Sequence, residues 1–150
     1  MNAPEHPLLH PFQLPPFDRL RPEDVEPVIT ELIARARAAI DHAMDERTPP
    51  TWEDFVAPLE HALEQLSDAW GVIGHLHSVM DTPAWREAYN KLLPEVTRFW
   101  TELGQNEALH QAREALTAVE NRLKSGEEAL ERLSGEEESL RARLRLIEAT

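Results

Sequence analysis

The sequence predicts an all-α protein, an antiparallel bundle of four or more helices preceded by an extended, proline-rich arm. Apolar residues recur at steps of three and four along most of the chain, which is the spacing of one helical face. Glycine is scarce, with 5 residues in 150. We expect an arm over residues 1–22, a helical domain over residues 23–112 and a charged helical tail over residues 113–150.

The arm is expected to be extended because six prolines fall within residues 1–22. Proline fixes φ and removes a backbone donor, so this density excludes a regular helix or a central strand. Six large apolar side chains, more than a free tail would carry, accompany the prolines: Leu8, Leu9, Phe12, Leu14, Phe17 and Leu20. We therefore expect the arm to lie across the body and bury them. A proline-rich ligand segment is the alternative, although its PxxP-like runs are poor matches.

The first two helices are bounded by recognisable start and stop residues. The first is expected from about Pro27, which suits a first helical position, to about Glu46. The second is expected to begin after Thr51, whose side chain can cap a helix. Its end should loosen near Gly71 and Gly74, because each glycine costs about 1 kcal/mol relative to alanine.

The third helix has the clearest start, since Thr82 can cap it and Pro83 can occupy its first position. A kink is expected at Pro94, because a proline inside a helix removes one backbone hydrogen bond. A fourth helix is expected to begin around Gln105.

The tail differs in composition, since it lacks aromatic residues and proline and is rich in Glu, Arg, Leu and Ala. Eight apolar residues fit the a and d positions of one heptad register: Leu116, Val119, Leu123, Leu130, Leu133, Leu140, Leu144 and Ile147. Gly126 and Glu137 interrupt that register, and Ser125 and Ser134 each open a Ser-x-x-Glu cap. We expect short helices or a hairpin packed on the body, with weak self-association through residues 116–147 or a frayed tail as alternatives.

Composition also limits the partners and the compartment. A formal charge of −13 would repel phosphate, so neither nucleic acid nor a membrane is expected as a partner. The absence of cysteine excludes disulfides and thiolate metal sites and suits a reducing compartment. No secretory signal and no apolar run of membrane-spanning length is found. The cytoplasm is therefore the expected location.

No complete catalytic or metal site is expected in the chain. His75 and His77 form the closest histidine pair, but residues two apart on a helix point about 200° apart. Glu60 and Glu64 lie one turn apart, yet no Glu-x-x-His pair completes a bundle metal site. HExxH, GxSxG and phosphate-binding glycine loops are also absent. We therefore assign no catalytic, cofactor-binding or metal-binding residue.

Aromatic side chains provide one candidate binding surface. Five of them could line a peptide groove: Trp52, Trp70, Trp85, Tyr89 and Trp100. Their helical spacing is equally what a packed core requires. Both interpretations stay open at the level of the sequence.

Several short stretches share their order and spacing with one enzyme family: Leu14-Pro15-Pro16-Phe17, Arg21 to Ile29, Thr51-Trp52-Glu53, His75 to Val79, Arg86 to Tyr89 and Gly104 to Leu109. Over roughly residues 1–112 the chain resembles the N-terminal part of the thimet oligopeptidase family of zinc metallopeptidases, most closely the bacterial oligopeptidase A type. The family usually shows Asn where His77 stands. Beyond about Ala112 the resemblance is no longer recognisable.

The resemblance implies a noncatalytic, helical N-terminal domain or fragment of a cytoplasmic enzyme that hydrolyses short peptides, with this part walling the substrate channel. Zinc is implied only for the full-length family, whose ligands and catalytic glutamate lie far downstream. The chain alone is therefore expected to be inactive, and its implied partners are the remainder of the peptidase chain or short peptides. The alternative is a stand-alone helical interaction module that associates through its heptad-patterned tail.

Overall fold

The computed structural model describes residues 6–148; the first five residues of the predicted arm and the last two of the tail lie outside them. Within this range the chain forms four α-helices and no strand: α1 (Pro22–Met44), α2 (Ala57–Met80), α3 (Pro83–Gly104) and α4 (Glu107–Glu148). The all-α prediction is confirmed. The contacts divide the chain into two compact units, Met1–Leu109 and His110–Thr150.

Helix α1 begins five residues before the predicted start. The side chain of Asp24 accepts a hydrogen bond from the backbone N–H of Arg21 at 3.0 Å, and Pro22 occupies the first helical position. Pro27 lies inside the helix, where its ring removes one backbone hydrogen bond. The prediction that Pro27 is the first residue of the helix is wrong. The capping hydrogen bond at Arg21 allows the helix to begin at Pro22.

Helix α2 follows a short π-helical turn, Trp52–Val56. Thr51 caps that turn as predicted, since its hydroxyl accepts the backbone N–H of Asp54 at 3.1 Å. The expected loosening near Gly71 and Gly74 is not observed, because α2 continues to Met80. Burial of one face of the helix offsets the low helix propensity of the two glycines.

The connection between α2 and α3 consists of Asp81 and Thr82. Asp81 adopts a left-handed conformation with φ 43°, which is uncommon for residues other than glycine, asparagine and aspartate. The guanidinium of Arg86 donates to the Asp81 carbonyl at 2.9 Å and to its carboxylate at 2.6 Å, which supports this conformation. Thr82 caps α3 and Pro83 opens it, so both predictions are confirmed. Pro94 lies inside α3, which continues to Gly104.

The core of the first unit lies between the arm, α1, α2 and α3. The ten largest side chains that are less than 2% exposed in it are Phe99, Leu8, Leu9, Ile29, Leu32, Leu66, Ile73, Val25, Val28 and Val96. They come from all four of these segments, so each segment loses water-exposed apolar area when the others pack on it. This shared burial is the main source of stability in the unit.

The arm is held to the body by burial and by two hydrogen bonds. Leu8, Leu9 and Leu20 are buried, as predicted, and Phe12 is half-buried. Leu14 is 83% exposed and Phe17 is 40% exposed, so these two do not follow the prediction. The backbone carbonyl of Leu9 accepts from Arg35 Nη1 of α1 at 3.0 Å and from Gln65 Nε2 of α2 at 2.5 Å. One peptide group of the arm is therefore bonded to two different helices.

The tail differs from the predicted hairpin. It lies within α4, a single helix of 42 residues, and no described glycine has a positive φ. Gly126 and Gly135 therefore remain helical, and their cost of about 1 kcal/mol each is too small to break a helix flanked by strong helix formers. The interpretation of Ser125 and Ser134 as helix caps is wrong for the same reason.

Candidate functional site

A partly exposed stack of aromatic rings joins α2 and α3. The ring of Tyr89 stacks on Trp70 at 4.7 Å between centroids and on His77 at 4.3 Å, with interplanar angles of 13° and 14°. Trp70 and His77 are seven residues apart on α2, so they share a face, and Gly74 falls between them. Gly74 leaves room for the ring, since a Cβ there would lie 3.7 Å from Tyr89 Cε2. We call these four residues the aromatic stack.

The two histidines of His75-Leu76-His77 engage different parts of the chain. His77 belongs to the aromatic stack, whereas the His75 ring lies 5.1 Å from the ring of Phe17 in the arm. This separation agrees with the expected divergence of residues two apart on a helix. Across residues 6–148, no group of three or more His, Cys, Asp or Glu side chains is placed to hold a metal ion.

The five candidate groove residues occupy different environments. Trp70 and Tyr89 are in contact, whereas Trp85 is only 4% exposed and belongs to the core. Trp100 packs edge-on against Phe99, and Trp52 is 48% exposed in the π-helical turn. The core interpretation therefore applies to Trp85, and peptide binding at the exposed rings stays a prediction.

A first cavity of about 220 Å³ opens between α1 and α3. Arg37, Asp41, Phe99 and Glu102 are among its lining residues. The guanidinium of Arg37 donates to Glu102 Oε2 at 2.9 Å and lies 5.6 Å from the centroid of the Phe99 ring. Its cation is thus already paired with a carboxylate, so the cavity is not arranged to attract an anion.

A second cavity of about 200 Å³ lies between the arm and α2. Its lining combines imidazole, carboxyl, amide and apolar groups: His10, Pro11, Phe12, His61, Glu64, Gln65 and Asp68. The amide of Gln65 donates to the Leu9 carbonyl and helps to form the cavity wall. The spacing of residues in the sequence does not predict this cavity, because its lining depends on where the arm packs against α2.

Within residues 6–148, the carboxyl group of Asp45 has a shifted pKa. Hydrogen bonds from the Arg47 side chain, and secondarily from its backbone N–H, hold the pKa of the Asp45 carboxyl below its usual value. The shortest of these contacts, from Arg47 Nη2 to Asp45 Oδ2, measures 2.7 Å. The pair lies in the turn after α1 and stabilises that turn.

Substitutions at Gly74 should reveal the space that the aromatic stack requires. We expect Gly74→Ala to stabilise the chain by about 0.5–1 kcal/mol, because alanine favours the helix and a 3.7 Å contact is ordinary. Gly74→Leu should displace Tyr89 and destabilise by about 1–3 kcal/mol. Urea unfolding measures both changes, and near-UV circular dichroism reports the rings.

Gly71 provides the matched control, because a Cβ there would meet nothing within 4 Å. Gly71→Ala and Gly71→Leu should both stabilise α2 through helix propensity and leave the aromatic signal unchanged. If Gly71→Leu and Gly74→Leu changed the free energy of unfolding equally, the aromatic stack would not depend on the absence of a side chain at Gly74.

Residues 29–143 match the family model of the neurolysin/thimet oligopeptidase N-terminal domain. This match extends into α4, beyond the expected limit near Ala112. Heptad-like leucine and glutamate patterns occur in many helices, and for that reason the family signal in this segment is hard to recognise by inspection.

Three curated relatives illustrate the similarity. Oligopeptidase A of Salmonella typhimurium is 39% identical over 107 residues, which are 71% of this chain and 16% of the relative. Oligopeptidase A of Escherichia coli is 36% identical over 107 residues, which are again 71% of this chain and 16% of the relative. The probable cytosolic oligopeptidase A of Arabidopsis thaliana is 36% identical over 111 residues, 74% of this chain and 16% of the relative. The chain thus spans about one sixth of the length of these relatives.

Proposed function

The chain belongs to the neurolysin/thimet oligopeptidase N-terminal domain family, and from this we propose that it is the noncatalytic helical part of an oligopeptidase A-like zinc metallopeptidase. In such an enzyme it would form part of the wall around the substrate channel. The family match over residues 29–143 supports this proposal, together with relatives named oligopeptidase A. Hydrolysis of short peptides is proposed for the whole enzyme and is not assigned to the residues described here.

The zinc implied by the family does not fit the described residues. A catalytic zinc needs three protein ligands and an open position for water, whereas residues 6–148 offer no such group of donors. We therefore derive no catalytic step from these residues. Their proposed contribution is shape, since a well-packed helical unit can border a channel and limit what enters it.

The proposed partners are the remainder of a longer peptidase chain and short peptides. The charge of −13 argues against nucleic acid, and no helix within residues 6–148 is long and apolar enough to cross a membrane. We propose the cytoplasm as the location. Among the relatives, one Arabidopsis protein is named as cytosolic and another as chloroplastic/mitochondrial.

The aromatic stack is the part of the predicted groove that best suits contact with a peptide. Trp70 and Tyr89 are partly exposed and hold each other in place. Rigid aromatic rings offer large contact areas at little cost in conformational entropy. We propose that these two rings, rather than the buried Trp85, face peptide in the complete enzyme.

A chimeric enzyme tests the proposal. The aligned 107 residues of Salmonella typhimurium oligopeptidase A would be replaced by the matching residues of this chain. We expect the chimera to cleave a quenched fluorescent oligopeptide and to leave a folded protein intact. A second version, in which a Gly/Ser linker replaces the segment, should lose peptide cleavage or its discrimination against the folded protein.

Two outcomes would contradict the proposal. One is a linker version that matches the chimera in both peptide cleavage and exclusion of the folded protein, because the segment would then contribute no wall. The other is chelator-sensitive peptide cleavage by the purified 150-residue chain, because the segment would then be catalytic.

A further inference from the structure

A stripe of exposed apolar side chains runs along α4. Six side chains spaced three, four or seven residues apart are between 49% and 68% exposed: Val119, Leu123, Leu130, Leu133, Leu140 and Leu144. We call these six residues the heptad stripe. Leu116, which the sequence placed in the same register, is only 7% exposed, so the exposed stripe begins at Val119. An apolar stripe of this length on a polar helix is typical of a coiled-coil seam.

We propose that two copies of the chain associate through the heptad stripe as a parallel, in-register coiled coil. This association goes beyond the proposed peptidase role, although α4 up to residue 143 is part of the matched family domain. The charges beside the stripe identify the partner as a second copy. In a parallel pair, each g position faces the e position five residues later in the other helix.

The charged pairs that this geometry creates between g and e positions all have opposite signs. With Leu123, Leu130 and Leu144 at a positions, three pairs form between one helix and the next: Arg122 with Glu127, Glu136 with Arg141, and Arg143 with Glu148. Each pair occurs twice in a symmetric dimer. The remaining g and e positions bring alanine beside glutamate or serine, so no like charges meet between g and e positions. The sequence of α4 is therefore complementary to itself.

An antiparallel pair would lose this complementarity. In an antiparallel pair, e positions of one helix face e positions of the other, and g positions face g positions. Opposite charges can then pair only if the e positions, and separately the g positions, carry equal numbers of positive and negative residues. The e set contains three glutamates and one arginine, and the g set contains two arginines and one glutamate. Neither set can pair every charge with its opposite, so the parallel arrangement is favoured.

Two positions weaken the seam. Gly126 occupies a d position and leaves a gap, and Glu137 occupies an a position, where two carboxylates would approach each other. Arg141 reduces the second cost, because its Nη2 lies 2.5 Å from Glu137 Oε1 in the same helix. We therefore expect a reversible dimer of micromolar rather than nanomolar affinity, on the order of 1–100 μM.

Cysteine cross-linking tests the orientation directly. The chain has no cysteine, and a Cβ at Gly126 or at Gly135 would meet nothing within 4 Å. Gly126 lies in the seam, whereas Gly135 lies at the outer f position. Under mild oxidation we expect Gly126→Cys to form a disulfide-linked dimer readily and the matched control Gly135→Cys to form little. Equal yields, or no dimer from Gly126→Cys, would overturn the parallel seam.

Sedimentation equilibrium tests the interactions that hold the dimer. Leu133→Glu should raise the dissociation constant on the order of 100-fold or more, because a charge enters the apolar seam. The control Leu146→Glu changes a leucine at an outer c position and should have little effect. Both substitutions keep a good helix former, and circular dichroism verifies that α4 stays helical.

Exchanging the charges of one pair distinguishes specific pairing of the two helices from nonspecific apolar association. Arg122→Glu should weaken the dimer roughly tenfold, since two attractive pairs become repulsive. Adding Glu127→Arg in the same chain should restore the original affinity. A natural chain that stays monomeric up to about 1 mM, well above the affinity expected for such a seam, would overturn the proposal. The proposal would also be overturned if adding Glu127→Arg to the Arg122→Glu variant failed to restore the original affinity.

Discussion

Phe99→Ala is expected to lower the free energy of unfolding by about 3–5 kcal/mol, the usual cost of removing a buried aromatic ring. Phe99 is 1% exposed on α3. Its ring packs edge-on against Trp100 at 5.3 Å and lies under the guanidinium of Arg37. Alanine would leave a cavity between helices that share one core, and it would also remove the ring beneath the cation.

Urea unfolding followed by far-UV circular dichroism measures this loss. Phe17→Ala is the matched control, because the Phe17 side chain is 40% exposed and should cost less than about 1 kcal/mol. A similar loss for the two phenylalanines would contradict the assignment of Phe99 to the core.

Leu9→Ala should have the second largest effect, about 2–5 kcal/mol, although Leu9 lies outside the four α-helices, in a short 3-10 turn of the arm, Pro7–Leu9. Leu9 is 1% exposed, and its carbonyl is bonded to Arg35 and Gln65. The substitution removes the side chain from the core and keeps both backbone hydrogen bonds. The result therefore isolates the contribution of arm burial from that of the hydrogen bonds.

Leu14→Ala is the control for the arm, because Leu14 is 83% exposed and a surface change of this kind usually stays within about 0.5 kcal/mol. Chemical denaturation of the two variants under identical conditions gives the comparison. If Leu9→Ala is as harmless as Leu14→Ala, the arm does not contribute to the core of the first unit.

The features predicted best from the sequence have local causes. The start of α3 was predicted at the correct residues because Thr82 and Pro83 act within one helical turn. The α-helical class followed from apolar periodicity, which reports on one helix at a time. The metal hypothesis at His75 and His77 was discounted by the same local geometry, and the two rings do engage different partners.

Two features were missed although their causes are also local. The break predicted near Gly126 and Gly135 does not occur, because each glycine costs α4 only about 1 kcal/mol relative to alanine when it stays helical. The start of α1 shifted because Asp24 caps Arg21 and makes Pro22 the better first residue.

The candidate sites depend instead on how segments that are distant in sequence pack together. Spacing alone could not identify which rings would be exposed, so Trp85 and Trp70 looked equivalent although only Trp70 remains partly exposed. The cavity beside the arm was missed because its walls come from segments far apart in sequence. Absence of a catalytic motif, in contrast, was visible directly, because such motifs are short and contiguous.

The peptide group of Leu9 also has a consequence for the order of folding. Its two donors come from helices 26 and 56 residues further along the chain, so the acceptor gains its full set of partners only after those helices have met. Contacts between segments this far apart in sequence tend to form late in folding, so we expect them to act mainly on the rate of unfolding. We therefore expect Leu9→Ala to unfold faster than the unmodified chain while its folding rate stays nearly unchanged, which stopped-flow kinetics would measure.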